Sequence, residues 1–377
     1  MKLLFLLGSR GEWGYIRPII NLCIKNNIKY CICATNMILL HSNGSLIEEI
    51  EKDGYEVTSK ILMSLEGSTN QAMAKSLGIF LSSFVDVLNQ EKPTWTILAG
   101  DRGEQLAASI ACSYSYIPCA HIQAGERSGN IDGVARHAIG KLVHLHFASN
   151  KDSADRLIRL GEQPFRVFNV GAPQIDEIKS ETLPEINEIE EKLKIQIKNG
   201  YILVVQHPVT EETNLASNNT KILFDTLSKI PFKKVVILPN NDAGSYQVRN
   251  QILKSRSSDS YIFSNISRVL YLGLLKHSKA IVGNSSSGLL EAPTVAVPAI
   301  NIGRRQKNRV QGTNVINCPY KSEEIEKAIN IGISDSFKKK IINDKNPYGD
   351  GDSSEKIIRI ILDTKIDDKI LVKELTS

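Results

Sequence analysis

The chain has 377 residues, which is too long for one ordinary hydrophobic core and predicts two domains. Hydrophobic residues make up 42% of the sequence and charged residues 23%, which is normal for a soluble globular protein. The formal net charge of +5 comes from basic residues scattered among acidic ones, so we expect no nucleic-acid partner, whereas an anionic small molecule fits this charge.

The first part of the chain alternates between predicted strands and helices. Residues 2–7 form an apolar run without polar alternation, as in a strand buried on both faces. This run is too short for a signal sequence and no later stretch reaches about 18 apolar residues, so we expect no membrane span and a cytoplasmic protein. Further strands are predicted at residues 30–34, 94–99, 117–122, 146–149 and 167–171, and helices at residues 15–26, 48–54, 72–89, 104–113, 132–145 and 153–160.

A polar, glutamate-rich stretch at residues 176–200 separates this series from a second one. Strands are then predicted at residues 201–205, 234–238, 280–282 and 299–302, and helices at residues 221–228 and 325–331. Such alternation is typical of doubly wound parallel sheets, in which ligands bind at the carboxyl ends of the strands. We therefore predict an α/β protein of two Rossmann-like domains facing a cleft, residues 1–172 and 173–353, with a C-terminal helical segment at 354–377 that packs back on the first domain.

The cysteines and histidines show no metal-binding spacing. The six cysteines form no CxxC pair and several lie in apolar strands, so we expect buried free thiols. His144 and His146 are two residues apart and would not share a helix face, so we interpret them as packing or surface residues. We expect no metal site.

Three serines lie between two glycines in Gly283-Asn-Ser-Ser-Ser-Gly288, directly after a predicted strand. A strand that leads through such a loop into a helix points several backbone N–H groups and the positive end of the helix dipole at one spot, which suits a phosphate. The plainer interpretation is a helix cap made by one serine. Because one serine is enough for a cap, we favour anion binding.

Two glycine-containing loops follow predicted strands in the first half. Gly8-Ser-Arg10 presents a guanidinium that can hold a phosphate through two hydrogen bonds, and the alternative is a solvated arginine in a turn. Gly100-Asp-Arg102 repeats this design. Asp101 is placed either as a catalytic acid or base or as the N-cap of the following helix, and the residues alone leave both interpretations open.

The densest polar stretch lies at residues 120–137. Asp132 and Arg136 are four residues apart on a predicted helix and can form an ion pair, which is worth little at a surface. Glu126 and Asp132, together with Asp101, offer three carboxylates for one pocket. Crowded carboxylates raise one another's pKa values, so that one of them can exchange a proton near neutral pH.

Three further features follow predicted strands of the second half. His207 precedes a proline and is either a polar cap or a group that contacts a diphosphate and donates a proton to a leaving group. Residues 239–244 form a turn whose amides can hold a sugar, and Arg305 can reach a sugar or phosphate. The sequence lacks GxxxxGK[ST], GxGxxG after the first strand and GxSxG, which argues against triphosphate hydrolysis, a dinucleotide cofactor and a serine nucleophile.

Taken together, these loops resemble those of the UDP-N-acetylglucosamine 2-epimerase family. They follow the family's order over most of the chain: Gly8-Ser-Arg10, Gly100-Asp-Arg102, His121-Ile-Gln-Ala-Gly-Glu126, Asp132 with Arg136-His137-Ala-Ile139, Gln206-His-Pro208, Gly283-Asn-Ser-Ser-Ser-Gly288 with Glu291, and Asn301-Ile-Gly303 with Arg305. Glu126 stands where the hydrolysing branch has its glutamate, whereas the non-hydrolysing branch has it at the place of Gln123. Ala124 departs from the glycine usual in the hydrolysing branch, which puts the identity of the sugar in question more than the reaction.

The resemblance implies a glycosyltransferase-B-like fold and hydrolysis of a UDP-2-acetamido-glucose-type sugar to the free manno sugar and UDP, by elimination to a glycal and hydration. It also implies a homo-oligomer, either a dimer or a tetramer, with no cofactor. The implied catalytic residues are Asp101, Glu126, Asp132, Arg136, which would orient Asp132, and His207. The implied contacts to the nucleotide sugar are Arg10, Arg102, His207, Asn240, Ile266 beside the base, Ser285 and Ser286 on the diphosphate, Glu291 on the ribose, and Arg305.

Other interpretations stay open at this point. The substrate can instead be the 2,4-diacetamido-6-deoxy analogue that leads to legionaminic acid, and the nucleotide can be GDP. The non-hydrolysing epimerase would keep UDP attached to the sugar. A retaining glycosyltransferase shares the fold but needs an acceptor, and a binder of UDP-sugars would turn nothing over.

Overall fold

The structure is a computed structural model, and it describes residues 1–40, 46–65, 70–128, 131–180, 182–239 and 242–376. The chain forms two compact units. The first unit consists mainly of residues Met1–Arg127, Ile131–Glu177 and Tyr348–Ser377, and the second is built on Ile178–Pro347.

The regular elements alternate along the chain. In chain order, the strands are β1 (Lys2–Leu7), β2 (Lys29–Thr35), β3 (Ser59–Ile61), β4 (Trp95–Ala99), β5 (Cys119–Ile122), β6 (Leu145–Ala148), β7 (Val167–Asn169), β8 (Tyr201–Val205), β9 (Lys233–Ile237), β10 (Ser260–Phe263), β11 (Ile281–Gly283), β12 (Ala299–Ile302) and β13 (Val315–Cys318). The helices are α1 (Arg10–Lys25), α2 (Leu46–Lys52), α3 (Asn70–Glu91), α4 (Gly103–Tyr114), α5 (Ile131–Leu142), α6 (Lys151–Arg159), α7 (Gln174–Ser180), α8 (Ile186–Leu193), α9 (Ala216–Leu227), α10 (Ser245–Lys254), α11 (Arg268–His277), α12 (Ser287–Leu290), α13 (Ser322–Gly332), α14 (Asp335–Ile341), α15 (Ser353–Asp363) and α16 (Asp368–Leu371).

The sheet of the first unit has the strand order β3-β2-β1-β4-β5-β6-β7, and neighbouring strands pair in parallel. β1 is central, and its residues Leu3 to Leu7 have no exposed surface, as the uninterrupted apolar run predicts. The chain passes from β1 to β2 on one side and later to β4 on the other side. The carboxyl ends of β1 and β4 therefore flank the topological switch point, where sheets of this kind bind ligands.

The sheet of the second unit has the strand order β10-β9-β8-β11-β12-β13, also with parallel pairing. β8 is central here, and its last residue Val205 is in register with Ile237 of β9 and Gly283 of β11. The switch point thus lies at the carboxyl ends of β8 and β11, next to the Gly283–Gly288 loop. The prediction of a parallel α/β sheet in each half of the chain is confirmed.

All six cysteines are buried and free, which confirms the interpretation as thiols. Cys23 belongs to the apolar layer on one face of the first sheet, and Cys31, Cys33, Cys112 and Cys119 belong to the layer on the other face. Burial raises the pKa of the Cys23 thiol to about 12, so this thiol stays protonated and unreactive at neutral pH.

Helix α3 is the longest helix in the described part of the chain. Its segment Gln71–Glu91 has a mean hydropathy of 1.2, and by length and composition alone it passes as a candidate membrane span, which the sequence analysis does not predict. A core helix of a soluble protein can be equally long and apolar. Phe80 and Phe84 of this helix stack at 5.2 Å and are buried against the first sheet, so one face of α3 is a core face.

The C-terminal segment is bound to the first unit through Arg166. Helix α15 packs against α1, and the residues that follow it accept hydrogen bonds from the buried Arg166 guanidinium at Lys369 O (2.5 Å), Ile370 O (2.8 Å) and Val372 O (3.1 Å). The guanidinium also donates to His144 O at 3.2 Å. One side chain therefore satisfies four carbonyl groups, three of the C-terminal segment and one of His144.

Replacing Arg166 with methionine is expected to lower the free energy of unfolding by about 3 kcal/mol, because several buried carbonyl groups lose a charged donor. Urea denaturation followed by circular dichroism measures this. The control is Arg159→Met, at an exposed position of α6, which is expected to stay within about 0.5 kcal/mol of the parent. Equal stability of the two variants would contradict the anchoring role of Arg166.

Candidate active site

Asp101 follows β4 and is held by Arg136. Helix α4 begins at Gly103 with Arg102 as its N-cap residue, so the alternative of Asp101 as the N-cap is wrong. Instead, Arg136 Nη2 donates to Asp101 Oδ2 in an ion pair whose arginine is 2% exposed and whose aspartate is 22% exposed. A half-exposed carboxylate with a buried cationic partner suits an acid or base that meets a ligand on its open side.

Arg136 also binds the loop after β5. Its Nη1 donates to Gln123 O at 2.7 Å, so a single guanidinium connects the β4 loop, the β5 loop and α5. β4 and β5 are neighbours, with Ala99 in register with Ile122. Asp132 lies one turn before Arg136 on α5, and its predicted pairing with Arg136 remains a prediction.

Residues 123–126 form a tight turn that places Glu126. Gln123 and Gly125 have positive φ angles of 59° and 74°, and a Cβ on Gly125 would lie 2.5 Å from Ser153 O, which requires glycine there. Arg156 Nη1 of α6 donates to Gly125 O at 2.5 Å and fixes the turn from the other side. Glu126 is thereby held at 2% exposure at the end of the turn.

Ala124, the departure from the hydrolysing pattern, is fully buried. Its methyl group packs with Ala148, Ala154 and Leu157 of β6 and α6, and its N–H donates to Phe147 O at 3.2 Å. The alanine therefore adds a small apolar contact behind the turn.

His121 was not among the predicted site residues, but it positions the Asp101 loop. Its Nε2 lies 2.6 Å from Gly100 O, and Gly100 has a φ of 85°. Burial lowers the pKa of His121 to about 3, so the imidazole is neutral at physiological pH. Since a carbonyl only accepts, the neutral ring must carry its proton on Nε2 and donate it to Gly100 O.

The two predicted arginine loops of the first unit are both stabilised by carboxylates. Arg10 is the first residue of α1, where Ser9 and Glu12 form a capping box. Arg102 Nε lies 3.3 Å from Oε1 of Glu104, in the first turn of α4. Sequence reasoning missed Glu12 and Glu104, although the serine three residues before a glutamate at a helix start is a recognisable capping signal.

In the second unit, Asn284 connects three loops at the switch point. Its Oδ1 accepts from His207 N and its Nδ2 donates to His207 O, both at 2.8 Å. Its own carbonyl accepts from Arg305 Nη1 at 3.2 Å and Gln306 Nε2 at 2.9 Å. Asn284 is only 1% exposed, and the preceding Gly283 has a φ of 134° where a Cβ would clash with Val205 O. Asn284 thus fixes the backbone at His207 and the side chain of Arg305.

The serine loop leads into a shorter helix than predicted. α12 spans only Ser287–Leu290 and is followed by a 3-10 turn at Ala292–Val295, so little helix dipole is aimed at the loop, contrary to the expectation. Ser285 Oγ accepts from Ser287 N at 3.3 Å, which is a local turn contact. Ser285 and Ser286 are both half-buried.

Glu291 is buried and held by two partners. Arg268 at the start of α11 pairs with its Oε1, and Ser287 Oγ donates to its Oε2. Tyr271 lies nearby, and burial, followed by the Glu291 charge, raises the pKa of its hydroxyl. Arg268, Tyr271 and Ser287 were not among the predicted residues.

Two predicted contacts to the nucleotide sugar remain, Ile266 and Asn240. Ile266 is 6% exposed and belongs to the apolar core layer that also contains Leu274 and Ile281, and its contact to a base remains a prediction. Asn240 lies outside the described residues. Within the described residues, no group of three or more His, Cys, Asp or Glu side chains is arranged to hold a metal ion.

A family model described as UDP-N-acetylglucosamine 2-epimerase matches residues 21–362 of the sequence. The chain belongs to this family. The resemblance seen in the loops is thereby confirmed at the level of the family.

Individual epimerases cover almost the whole chain. The Legionella pneumophila UDP-N,N'-diacetylbacillosamine 2-epimerase (hydrolyzing) is 32% identical over 374 residues, which are 99% of this chain and 98% of the relative. A Neisseria meningitidis UDP-N-acetylglucosamine 2-epimerase is 32% identical over 87% of this chain and 86% of its own. The crystal structure of a UDP-GlcNAc 2-epimerase from Neisseria meningitidis bound to UDP-GlcNAc has a TM-score of 0.79 at 22% identity, covering 97% of this chain and 100% of that one. This likeness confirms the predicted glycosyltransferase-B-like fold class.

Proposed function

We propose that this epimerase-family chain is a hydrolysing 2-epimerase, which converts a UDP-linked 2-acetamido sugar of the gluco configuration and water to the free manno sugar and UDP. The observation that carries the proposal is the double contact of Arg136, which joins the Asp101 carboxylate to the turn that ends at Glu126. The reaction removes one proton from the sugar and later returns one, and two carboxyl groups in loops that follow neighbouring strands can serve as this base and this acid. The hydrolysing Legionella relative, similar over nearly its full length, supports the same reaction.

The proposed reaction has two stages. In the first, a carboxylate of the set Asp101, Glu126 and Asp132 removes the proton at C2 while the C1–O bond to UDP breaks, giving a glycal and UDP. In the second, water adds its oxygen to C1, and a proton is returned to C2 from the opposite face. The residues of this set can exchange roles between removing and returning protons, because each stage needs one base and one acid.

The second unit is proposed to bind the leaving nucleotide. Backbone amides and hydroxyls of Ser285 and Ser286 would bind the diphosphate, and Glu291 would accept hydrogen bonds from the ribose. His207 and Arg305, both fixed by Asn284, would stabilise the charge that develops on the departing diphosphate. Arg10 and Arg102 are proposed as further contacts to the nucleotide sugar.

Three finer variants of this function are distinguished by the products. The 2,4-diacetamido-6-deoxy sugar is a second candidate substrate, favoured by the name of the Legionella relative, and the base can be guanine in place of uracil. A non-hydrolysing epimerase would instead leave the nucleotide on the sugar.

We propose a homo-oligomeric, cytoplasmic enzyme that needs no cofactor.

Incubation of the protein with each nucleotide sugar, followed by proton NMR of the products, tests the proposal. Free manno sugar and free UDP in equal amounts are expected without any acceptor. Accumulation of UDP-linked manno sugar without free UDP would contradict the proposed hydrolysing reaction. A requirement for an acceptor would favour a glycosyltransferase, and binding of UDP without any conversion would favour a binder.

A further inference from the structure

Two buried carboxyl groups meet at the switch point of the first unit and are not used by the proposed reaction. Glu12 and Glu104 are each 2% exposed. Glu12 follows β1 at the start of α1, and Glu104 follows β4 at the start of α4, so both come from the strand ends that flank the switch point.

Glu12 binds the backbone of the loop that carries Arg10. Its Oε2 accepts from Gly8 N at 2.6 Å and from Ser9 N at 3.0 Å. In return, Ser9 Oγ accepts from Glu12 N at 3.4 Å, which completes the capping box. This carboxyl group therefore fixes the path of the backbone immediately before Arg10.

Glu104 binds two other loops from the same place. Its Oε1 accepts from Asn36 Nδ2 at 3.0 Å, at the end of β2, and lies 3.3 Å from Arg102 Nε. It also lies directly against Gly8, because a Cβ built on Gly8 would be 2.3 Å from Glu104 Oε1. Both carboxyl groups thus contact Gly8, one through its N–H and the other where a side chain would be.

Two carboxylates enclosed together cannot both be ionised without a large cost. Burial, followed by the charge of Glu104, raises the pKa of Glu12 to about 8, against the opposing effects of the Gly8 N–H, Arg102 and Gln105. Glu104 has the guanidinium of Arg102 beside it, with Nε 3.3 Å from its Oε1. At neutral pH Glu12 is therefore protonated.

We propose that Glu12, in its protonated form, and Glu104 are positioning residues that together hold the Arg10 and Arg102 loops around Gly8 at the switch point. The inference rests on the proposed function in one respect, since these arginines are its predicted contacts to the nucleotide sugar. A neutral Glu12 keeps the Gly8–Arg10 backbone in place without repelling Glu104. Ionisation of Glu12 places a negative charge against the Glu104 carboxyl group around Gly8 and loosens both loops.

The sign of the pH dependence follows from the raised pKa of Glu12. Protonated Glu12 contributes its full stabilisation below the pKa of an unfolded glutamate, about 4.5, and this contribution is lost as the pH rises to about 8. The catalytic efficiency should fall over the upper end of this window, as the loops that carry Arg10 and Arg102 loosen.

Glu12→Gln and Glu104→Gln distinguish the two members of the pair. Glutamine at position 12 imitates the protonated acid but cannot ionise, so the alkaline fall of kcat/KM is expected to move up by about one pH unit or more. Glutamine at position 104 removes the charge beside Arg102, and we expect about a tenfold loss of kcat/KM at pH 7, mainly through KM.

Asp176→Asn is the matched control. Asp176 is also a buried carboxyl of the first unit, its pKa is raised by burial, and it accepts from Ser353 N at 3.1 Å and Ser354 N at 2.6 Å. It binds the start of α15, so its loss should leave the alkaline fall of kcat/KM unchanged. An alkaline fall that is identical in Glu12→Gln and the parent, or shifted equally by Asp176→Asn, would overturn the inference.

A second measurement does not depend on the enzyme activity. The free energy of unfolding of the parent, from urea denaturation at pH 5 to 9, is expected to fall relative to that of Glu12→Gln as the pH rises. Parallel curves for the two proteins would overturn the inference that Glu12 holds a proton in the folded protein, even if no nucleotide sugar is turned over. Diverging curves in a protein without epimerase activity would instead uphold the pair and reject the proposed function.

Discussion

Asp101→Asn is expected to lower the turnover of the nucleotide sugar by about 1000-fold or more, while the affinity for UDP stays within about threefold. Asparagine keeps the shape of the side chain and can still accept from Arg136 Nη2, so the β4 loop should keep its place. What is lost is the ability to remove or return a proton. Glu126→Gln, at the end of the buried 123–126 turn, is expected to behave in the same way for the same reason.

Single-turnover assays and UDP titration calorimetry measure these two quantities separately. The control is Asp155→Asn on α6, whose carboxylate pairs with Lys151 at 2.6 Å and is 40% exposed, and which should turn over as the parent does. Turnover that is unchanged in both Asp101→Asn and Glu126→Gln would remove these residues from the catalytic set. Loss of UDP affinity in parallel with turnover would show that the substitutions disturb the fold.

The central strands of both sheets are predictable because burial on both faces leaves a direct mark on the sequence. β1 and β8 are apolar at nearly every position, since helices cover both faces of a parallel sheet. β3, β10 and β13 were not predicted. They are short or lie at sheet edges, and Ser260 to Phe263 are all half-exposed, so no continuous apolar run marks them.

The sequence predicts where the loops of the site lie in the fold, but not which side chains in these loops contact one another. Parallel strands deliver their following loops to one edge, so Asp101 and the 123–126 turn had to be neighbours once β4 and β5 were paired. The contact between Arg136 and Asp101 could not be inferred from spacing. Asp132 is four residues away along the helix, whereas Asp101 is 35 positions distant and only the fold brings it to the guanidinium.

The buried residues that position the site loops were not predicted from the sequence, for a physical reason. His121 and Asn284 bind backbone groups of other loops and Glu104 binds the side chain of Asn36, and no local pattern records such contacts. Their burial is the signal, because a polar side chain that is nearly fully enclosed must satisfy its hydrogen bonds within the protein. Burial of an individual polar residue becomes visible only when the structure is known.

Asn284→Ala is expected to weaken the binding of UDP by about 30- to 100-fold, which corresponds to about 2–3 kcal/mol. The substitution removes both side-chain hydrogen bonds to the backbone of His207 and leaves the buried N–H and carbonyl of that residue without these partners. His207 should then lose its fixed position at the end of β8. Arg305 is bound by the carbonyl of Asn284, which remains, so the damage is expected to be confined to the His207 side of the site.

Two further variants separate this effect from a general loss of stability. Asn284→Asp keeps the acceptor for His207 N but loses the donor to His207 O, so its affinity for UDP should lie between those of Asn284→Ala and the parent. Asn317→Ala removes an exposed amide of the same unit, which pairs with Asn301 at 2.7 Å, and should leave the affinity for UDP unchanged. Isothermal titration calorimetry gives the three affinities, and unfolding curves of the same samples give their stabilities. Equal affinities of Asn284→Ala and Asn317→Ala for UDP would contradict this prediction. The hydrogen bonds between Asn284 and the His207 backbone would then stabilise the fold without contributing to nucleotide binding.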